Sequence, residues 1–434
     1  MPKKYDVIII GAGIIGCSIA FECAKKGLRT LNVDRLPAAG YGSTSNSCAI
    51  IRLYYSTREG VALAYENYPY WVQWEDYLGV KDDSGLARYI EKGSIVFKTP
   101  RNKNLSMVMK YLDDFGIRYE ELGPEDIRKK LPIIDTRLYG PPKRPEAPNF
   151  GKPTGEAVEG AVLVPQSGYM TDPQLSTHNV QRAAEQRGAA FQFNAEVVQI
   201  LKQGNRLTGI RLKDGTRFDT PVVVNVAGPH SCLVNRMAGV EESMKIRTRA
   251  IKVEVCHVPT PEGFDYDKDG IMLSDGDIGN YSRPEVGNHI LIGSEEPDCD
   301  ELDYVDPECY NMNFTDQWTA QAMRQAQRIK GLPIPNQPKG VVDLYDKTDD
   351  WIPIYDKSDL QGFYMAIGTS GNQYKNAPVV GEMMAELIEQ CEGGHDHDSK
   401  PLQFQLKHTG RVLDVGCYSR LREINRDSSF SVIG

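Results

Sequence analysis

The chain has 434 residues, of which 40% are hydrophobic and 25% charged, and its formal net charge is −9. This composition is typical of a globular protein of about two to three domains, and the negative charge argues against a nucleic-acid or anionic-membrane partner. No apolar stretch approaches the ~18 residues that a transmembrane helix needs, and the sequence begins without the pattern of a signal peptide, so we expect a cytoplasmic protein.

The cysteines and histidines predict no metal site. Nine cysteines are scattered along the sequence without a CxxC pair, which argues against a disulfide framework and against a thiolate metal or iron–sulfur site. His395 and His397 stand close together in a polar stretch. Because no other ligand follows at a suitable spacing, we expect solvated side chains there.

The first predicted elements, in residues 5–35, are a strand, a glycine-rich turn, a helix and a second strand. The turn reads Gly11-x-Gly13-x-x-Gly16, and the second strand ends at Asp34. Glycines in this order permit the tight turn, the approach of a pyrophosphate and close packing of the helix on the sheet. The acid is placed to accept hydrogen bonds from a ribose. The pattern predicts an adenine dinucleotide cofactor, but alone it does not separate FAD from NAD.

Further elements extend this unit into a larger fold. In chain order, the sequence predicts a surface loop at 140–155, a helix from Thr171 or Asp172 to Gly188, strands at 196–201 and 207–213, a buried strand at 221–228, mainly strands over 246–342 with a helix near 316–329, a strand at 362–368 and a last helix with Pro378 in its first turn. Since the nucleotide-facing strand at 221–228 lies far along the chain from the first one, we predict a cofactor domain that is discontinuous in sequence.

Several segments together resemble one family. They are 11–34, 42–52, 222–231, 281–284 and 368–378. In this combination the chain resembles the FAD-dependent amino-acid and amine oxidoreductases, which include sarcosine oxidase, dimethylglycine dehydrogenase and D-amino-acid dehydrogenase. The resemblance implies FAD as the cofactor.

The resemblance also implies an α/β (α+β) fold. A glutathione-reductase-like, FAD-binding Rossmann domain, discontinuous in sequence, is expected beside a substrate domain with a mixed or antiparallel sheet. We assign residues 1–88, 160–245 and 343–434 to the FAD-binding domain, and residues 89–159 and 246–342 to the substrate-binding domain.

The resemblance further implies where the site residues lie. Arg52 and Lys375 match the arginine and lysine that hold the substrate carboxylate, and Tyr281 matches a tyrosine near the substrate. A guanidinium fork and an ammonium group suit a carboxylate. The turn before the last helix is expected to present its N–H groups to the flavin, because a helix N-terminus stabilises the negative charge that reduction brings. The predicted cofactor-binding residues are Gly11, Gly13, Gly16, Asp34, Arg35, Ser43, Thr44, Ser45, Val198, Ala227, Gly228, Gly368, Gly371, Asn372, Gln373, Tyr374 and Lys375.

Two departures from the family pattern carry predictions. Relatives with covalent flavin use a histidine in the segment that matches 42–49, or a cysteine near the position of residues 343–345; neither is present here. We therefore expect non-covalent FAD. Leu291 stands where sarcosine oxidase has the lysine that activates O₂, although Arg283 is near. This favours a dehydrogenase, with a quinone or a flavoprotein as electron acceptor, over an oxidase that uses O₂.

The hypothesis from sequence is oxidation of the C–N bond of a small anionic or zwitterionic amino acid that is secondary or otherwise N-substituted. Hydride would pass to flavin N5, and water would hydrolyse the resulting imine. Positioning of the substrate is expected to supply much of the catalysis. Two alternatives stay open: a 2-hydroxy-acid or glycerol-phosphate type dehydrogenase, which needs a base for the hydroxyl proton, and a non-catalytic flavoprotein that acts as an assembly partner.

Overall fold

A computed structural model describes residues 4–100, 102 and 104–434. Its α-helices in these residues are α1 Ile14–Lys25, α2 Arg58–Val72, α3 Trp74–Leu78, α4 Leu105–Phe115, α5 Pro124–Lys130, α6 Pro173–Gln186, α7 Ser231–Ala238, α8 Tyr266–Asp269, α9 Asp316–Arg328 and α10 Ala377–Glu392. Its strands are β1 Val7–Ile10, β2 Thr30–Val33, β3 Ile50–Ile51, β4 Tyr89–Glu91, β5 Ser94–Lys98, β6 Glu120–Leu122, β7 Gly160–Val164, β8 Gly168–Met170, β9 Ala190–Gln192, β10 Val197–Gln203, β11 Arg206–Leu212, β12 Arg217–Asp219, β13 Val222–Asn225, β14 Thr248–Pro259, β15 Met272–Asp275, β16 Asn280–Glu285, β17 His289–Ser294, β18 Asp303–Tyr304, β19 Gly340–Thr348, β20 Ile354–Lys357, β21 Phe363–Ile367, β22 Gln403–Gln405 and β23 Val412–Asp414.

One sheet has the strand order β20-β21-β13-β1-β2-β9, and we call it the parallel sheet. All of its pairs are parallel except β20 with β21. Its strands are fully buried runs such as Val7–Ile10 and Val222–Asn225, as expected of a parallel sheet that is covered on both faces. Helices α1, α6 and α10 pack together on one side. Strands distant in sequence therefore form one sheet, as predicted.

A second sheet has the order β18-β14-β17-β16-β15-β5-β7-β6, with β19 also paired to β14, and we call it the large sheet. It is mostly antiparallel; β15 and β5 form a parallel pair. Smaller sheets join β10-β11-β12, β3-β8-β4 and β22-β23. The large sheet faces the carboxyl ends of the parallel strands across a cavity, since residues of both sheets line that cavity.

Hydrogen bonding corrects two of the expected domain boundaries. Gly160–Val164 lies in the large sheet because it pairs with both β5 and β6, although the sequence placed it with the cofactor domain. Most of Gly340–Thr348 was placed there too, yet this whole strand pairs along β14. The division of the chain into domains stays a prediction, with these two strands moved to the large-sheet side.

The predicted local elements agree closely with the structure. Asp172 is the N-cap of α6 and accepts a hydrogen bond from the Leu175 N–H. Pro378 lies in the first turn of α10. In contrast to the expectation of a solvated side chain, His397 is buried, and its Nδ1 accepts from the Leu402 N–H at 3.0 Å. Among the described residues, no helix has both the length and the apolar character needed to cross a membrane.

Arg328, at the end of α9, ties this helix to the large sheet. Its guanidinium is fully buried and pairs with Asp275 at 2.5 Å and Asp277 at 3.1 Å. Asp277 in turn accepts from the backbone N–H groups of Tyr139 and Gly140. The arginine thus connects α9, β15 and the chain after residue 135 through charge-assisted hydrogen bonds, which are about twice as strong as neutral ones.

We predict that Arg328→Met destabilises the protein by about 3–5 kcal/mol, because it leaves two buried carboxylates without their cation. The comparison is Arg182→Met, which removes an exposed partner of Glu185 and is expected to cost less than about 1 kcal/mol. Chemical denaturation of both variants measures the difference. Equal losses of stability in the two variants would contradict the role given to Arg328.

Candidate active site

A cavity of about 780 Å³ lies between the parallel sheet and the large sheet. Its floor is formed where β1, β2, β13 and β21 end, which is where open α/β sheets bind ligands. One end of the cavity is lined by the glycine-rich turn after β1. The lining of the same cavity also includes Arg52, Lys375 and Tyr281, the three residues predicted to contact substrate. Segments predicted to bind the cofactor and the substrate are therefore brought to one continuous space.

The glycine-rich turn requires glycine for steric reasons. Gly11 has φ +118°, and a Cβ atom there would lie 2.3 Å from the Val226 carbonyl oxygen. A Cβ on Gly16 would lie 2.4 Å from the Gly11 carbonyl oxygen, whereas one on Gly13 would meet only the Thr44 hydroxyl at 3.1 Å. The first glycine thus lets β1 and β13 end side by side, and the third lets α1 sit on the turn.

Asp34 and Arg35 stand at the end of β2, beside the same turn. The Asp34 carboxylate accepts from the backbone N–H groups of Ala12 at 2.7 Å and Leu36 at 2.9 Å. Arg35 bonds to Glu308 at 2.6 Å and to His230 Nε2 at 2.7 Å. The arginine therefore links the parallel sheet to the loop after β18. Asp34 holds the turn in shape, and its contact with a ribose stays a prediction.

Most of the predicted cofactor-binding residues line the cavity, and three do not. Those that line it are Gly11, Gly13, Gly16, Asp34, Arg35, Ser43, Thr44, Ala227, Gly228, Gly371, Asn372, Gln373, Tyr374 and Lys375. Ser45 turns away and donates to the Gly42 carbonyl. Gly368 shapes the turn from behind, since its N–H donates to Asp346 at 2.6 Å. Val198 is 42% exposed, and its neighbour Val197 lines the cavity instead, because successive side chains of a strand point to opposite faces.

Arg52 and Lys375 converge on one aromatic ring. The Arg52 guanidinium carbon lies 4.3 Å, and the Lys375 Nζ 4.7 Å, from the centre of the Tyr55 ring. Both side chains are buried, and a cation close to an aromatic ring is stabilised by it. Lys375 Nζ donates to the Asn372 carbonyl. Burial, with a smaller contribution from Arg52, lowers the pKa of Lys375 well below its usual value. Arg52 is therefore the permanent positive charge of this end.

Tyr281 lies beside Cys48, with 3.6 Å between its hydroxyl and the Cys48 Sγ. Tyr345 also lines the cavity, and a Cβ on Gly371 would lie 2.4 Å from its ring. Burial raises the pKa of both tyrosines and of Cys48. These groups are thus neutral hydrogen-bonding groups at neutral pH. Of Tyr281 and Tyr345, the sequence drew attention only to Tyr281, since no motif distinguishes Tyr345.

Three acids in or near the cavity were not predicted. Asp346 lines the cavity, and burial raises its pKa to about 7. Glu295 accepts from the Ser274 hydroxyl at 2.7 Å and Glu296 from the Val432 N–H at 2.9 Å. Burial raises the pKa of each glutamate to about 8. The adjacent acidic pair follows β17 in a stretch of sequence with several other acids, so pattern alone gave no reason to select it.

The model of the FAD dependent oxidoreductase family matches residues 6–387. The chain belongs to this family. It is similar to sarcosine oxidase subunit beta of Arthrobacter sp, with 23% identity over 426 residues that cover 95% of this chain and 94% of the relative. FAD-dependent oxidoreductase domain-containing protein 1 of Xenopus laevis is 22% identical over 427 residues, covering 91% and 80%.

Among solved structures, L-proline dehydrogenase from P.horikoshii has a TM-score of 0.75 at 22% identity and covers 97% of this chain and 98% of that one. This similarity confirms the predicted mixed α/β, Rossmann-like fold. The family match confirms the predicted cofactor, so the protein is an FAD-dependent oxidoreductase.

The cavity of this FAD-dependent oxidoreductase fits the cofactor chemically. Its volume is within the usual range of about 300–1,000 Å³ for small-molecule sites. Asn372 Nδ2 and Asp346 Oδ1 are buried polar atoms of lining residues, and neither has a hydrogen-bond partner among the described residues. Buried polar groups are normally paired, so a polar ligand such as FAD suits this wall. Gly11, Gly13 and Gly16 would hold the pyrophosphate, and the turn at Gly371 the other end.

The structure also locates the two departures from the family pattern. Asp343 lines the cavity and accepts from Asn46 at 2.8 Å, so it offers no thiol to a flavin. Leu291 is paired with Arg283 across β17 and β16. The Arg283 guanidinium is committed to Glu285 at 2.8 Å and to the Cys48 carbonyl at 2.8 Å. The preference for a dehydrogenase therefore stays a prediction.

We predict that Gly11→Ala lowers stability by about 1–3 kcal/mol and strongly reduces the FAD that copurifies, because the added Cβ collides with the Val226 carbonyl. Gly27→Ala is a matched control: Gly27 also has a positive φ, +82°, but nothing lies within 4 Å of its Cβ position. The ratio of flavin to protein absorbance and the thermal midpoint measure both effects. Retention of normal FAD content by Gly11→Ala would show that the close approach is not needed.

A second prediction concerns the linkage of the flavin. Acid precipitation should release all FAD into the supernatant, since the structure places no histidine in the 42–49 segment and an aspartate at position 343. Cys48 is the thiol that lines the cavity there, so Cys48→Ser is the comparison. A yellow pellet from the natural protein, lost in the variant, would instead identify Cys48 as a covalent attachment point.

Proposed function

We propose that this FAD-dependent oxidoreductase oxidises the C–N bond of a small amino acid whose nitrogen is secondary or otherwise substituted. The observation that carries the proposal is the convergence of Arg52 and Lys375 on Tyr55 in the FAD cavity. A buried guanidinium beside a buried amine needs an anionic ligand to offset its desolvation. A carboxylate matches the planar guanidinium in shape and charge.

Arg52 and Lys375 would contribute differently. Arg52 carries the guanidinium group, so it supplies the electrostatic attraction. Lys375, whose pKa is lowered by burial, supplies N–H donors and the rigidity of its turn, where Trp71 Nε1 donates to the Lys375 carbonyl at 2.6 Å. Fixing the carboxylate at this point orients the carbon that carries the nitrogen, and such positioning lowers the barrier of a bimolecular step.

The large sheet would exclude water from the reacting groups. Its cavity-lining residues include six apolar ones, Val253, Val255, Met272, Leu273, Val341 and Leu344, beside polar ones such as Asp343 and Asp346. FAD, when bound, supplies the chemistry by accepting a hydride from the carbon beside the nitrogen. Apolar side chains on this side of the cavity would strengthen the electrostatic contacts between the substrate and the protein by excluding water. The imine product would then be hydrolysed by water, and a carrier such as a quinone or another flavoprotein would take the electrons.

The test is anaerobic bleaching of the flavin by a panel of amino acids, N-methyl amino acids, 2-hydroxy acids and glycerol 3-phosphate. We expect N-substituted amino acids to bleach it. Arg52→Met should raise the substrate concentration for half-maximal rate about 100-fold, because two charge-assisted hydrogen bonds are lost. Arg52→Lys should have a value between those of the natural protein and Arg52→Met. Arg247→Met, on the exposed surface, is the control.

The panel also separates the alternatives. Bleaching by hydroxy acids or glycerol 3-phosphate but by no amino acid would replace the proposal with the alcohol-oxidising class. An absence of bleaching by every compound would favour a flavoprotein without catalysis. A normal response of Arg52→Met to amino acids would contradict the role of the arginine while leaving the reaction in place.

A further inference from the structure

Residues 428–434 lie across the Arg52 end of the cavity, and we call them the strap. Val432 and Ile433 line the cavity directly. The Val432 carbonyl accepts from Arg52 Nη2 at 2.8 Å, and the Val432 N–H donates to Glu296 Oε2 at 2.9 Å. The backbone of one residue, Val432, therefore connects the Arg52 guanidinium to the Glu296 carboxyl group.

The backbone of Val432 has the skeleton of an α-amino acid. Its N–Cα and Cα–C bonds, about 1.46 and 1.52 Å, join a nitrogen and a carbonyl group as they do in any free amino acid. The nitrogen faces the carboxyl group of Glu296, and the carbonyl faces the guanidinium of Arg52. A zwitterion placed on the same atoms would bring its ammonium to the acid and its carboxylate to the guanidinium, with full charges in place of the peptide's partial ones.

We propose that Arg52 and Glu296 form a dipolar subsite for an amino-acid zwitterion, with Glu296 holding the amine, and that the Val432 backbone occupies this subsite until substrate displaces the strap. This inference rests on the proposed function and names the group that would recognise the substrate nitrogen. Glu296 is a specificity-determining residue in this scheme.

The surroundings of Glu296 agree with such a role. Glu296 has φ +46°, an unfavourable conformation for a residue with a side chain, and such strain concentrates at functional sites. The Glu296 side chain borders an adjoining cavity of about 380 Å³, which shares Tyr281 and Tyr345 with the main cavity. Val432 N carries a substituent, the preceding residue, so the subsite already accommodates a substituted nitrogen.

The strap is held by hydrogen bonds that can be exchanged. Ser56 binds the Gly434 carbonyl through its N–H at 2.9 Å and through its hydroxyl at 2.7 Å. Ser428 donates to the Asp350 carbonyl at 2.6 Å, while Phe430 is largely exposed. Net contributions of such bonds are small because water replaces them. A charged ligand that binds both Arg52 and Glu296 can therefore compete with the strap.

The test compares two isosteric ligands that cannot be oxidised at the α-carbon. In 2-aminoisobutyrate the α-carbon carries no hydrogen; in pivalate a methyl group replaces the ammonium. Both affinities are measured by calorimetric titration of the FAD-loaded protein. Glu296→Gln should weaken the binding of 2-aminoisobutyrate about tenfold or more, because a charge-assisted hydrogen bond is lost. The affinity for pivalate should change less than about twofold. Glu301→Gln, an exposed acid on the adjoining cavity, should change neither.

Hydrogen exchange supplies the second readout. Saturation with 2-aminoisobutyrate should speed exchange of the strap amides, including Val432 N–H, since the ligand replaces them. The proposal would be overturned if Glu296→Gln weakened the binding of both ligands equally or of neither. It would also be overturned if neither ligand bound, or if the exchange rate of the strap amides did not change. Because neither ligand is oxidised, binding can succeed while the bleaching panel fails, which would reject the proposed reaction but keep the subsite.

Discussion

The fold depends on the close approach of two backbones at the edge of the parallel sheet. Gly11, directly after β1, lies so close to the Val226 carbonyl that a Cβ atom on residue 11 would collide with it. Because β1 and β13 pair in register over four residues, this contact fixes where both strands end. The turn, the start of α1 and the segment after β13 then border one space. A single steric constraint thus brings segments that are distant in sequence to the same cavity.

The sequence predicted those features that depend on local pattern. The glycine spacing, the N-cap of α6, the first-turn proline of α10 and the buried strands were visible because each is specified within a few residues. The strand pairing of Gly160–Val164 was not visible, since an apolar run reads alike in either sheet. The sequence also predicted that Val198 lines the cavity, whereas the structure places Val197 there, and the reason is similar. Side chains alternate along a strand, and a shift of one residue moves the contact to the opposite face.

The site residues predicted from sequence are those whose charge suggested a role, and the residues missed are those that only burial makes unusual. Arg52 and Lys375 stood out through a family pattern. Glu295, Glu296 and Asp346 are ordinary acids in the sequence and become unusual only because burial raises the pKa of each. That burial comes from elements such as β19 and the strap, which are far away in sequence. Tertiary context therefore decided which acids lie in or near the cavity.

The same electrostatics explains why the strap can occupy the substrate end without being its best ligand. A buried guanidinium must find acceptors, and in this structure Arg52 uses the carbonyl groups of Val432 and Tyr54 together with two tyrosine rings. Carbonyls satisfy its N–H groups but do not neutralise its charge, and Val432 N–H likewise gives Glu296 a donor without a positive charge. A hydrogen bond with one ionised partner is already about twice as strong as a neutral one, and a second, opposite charge adds Coulombic attraction to it. Burial raises the pKa of Glu296 to about 8, and a ligand ammonium beside it favours its carboxylate form. A ligand that carries both a carboxylate and an ammonium therefore gains electrostatic attraction at both groups that the strap does not have.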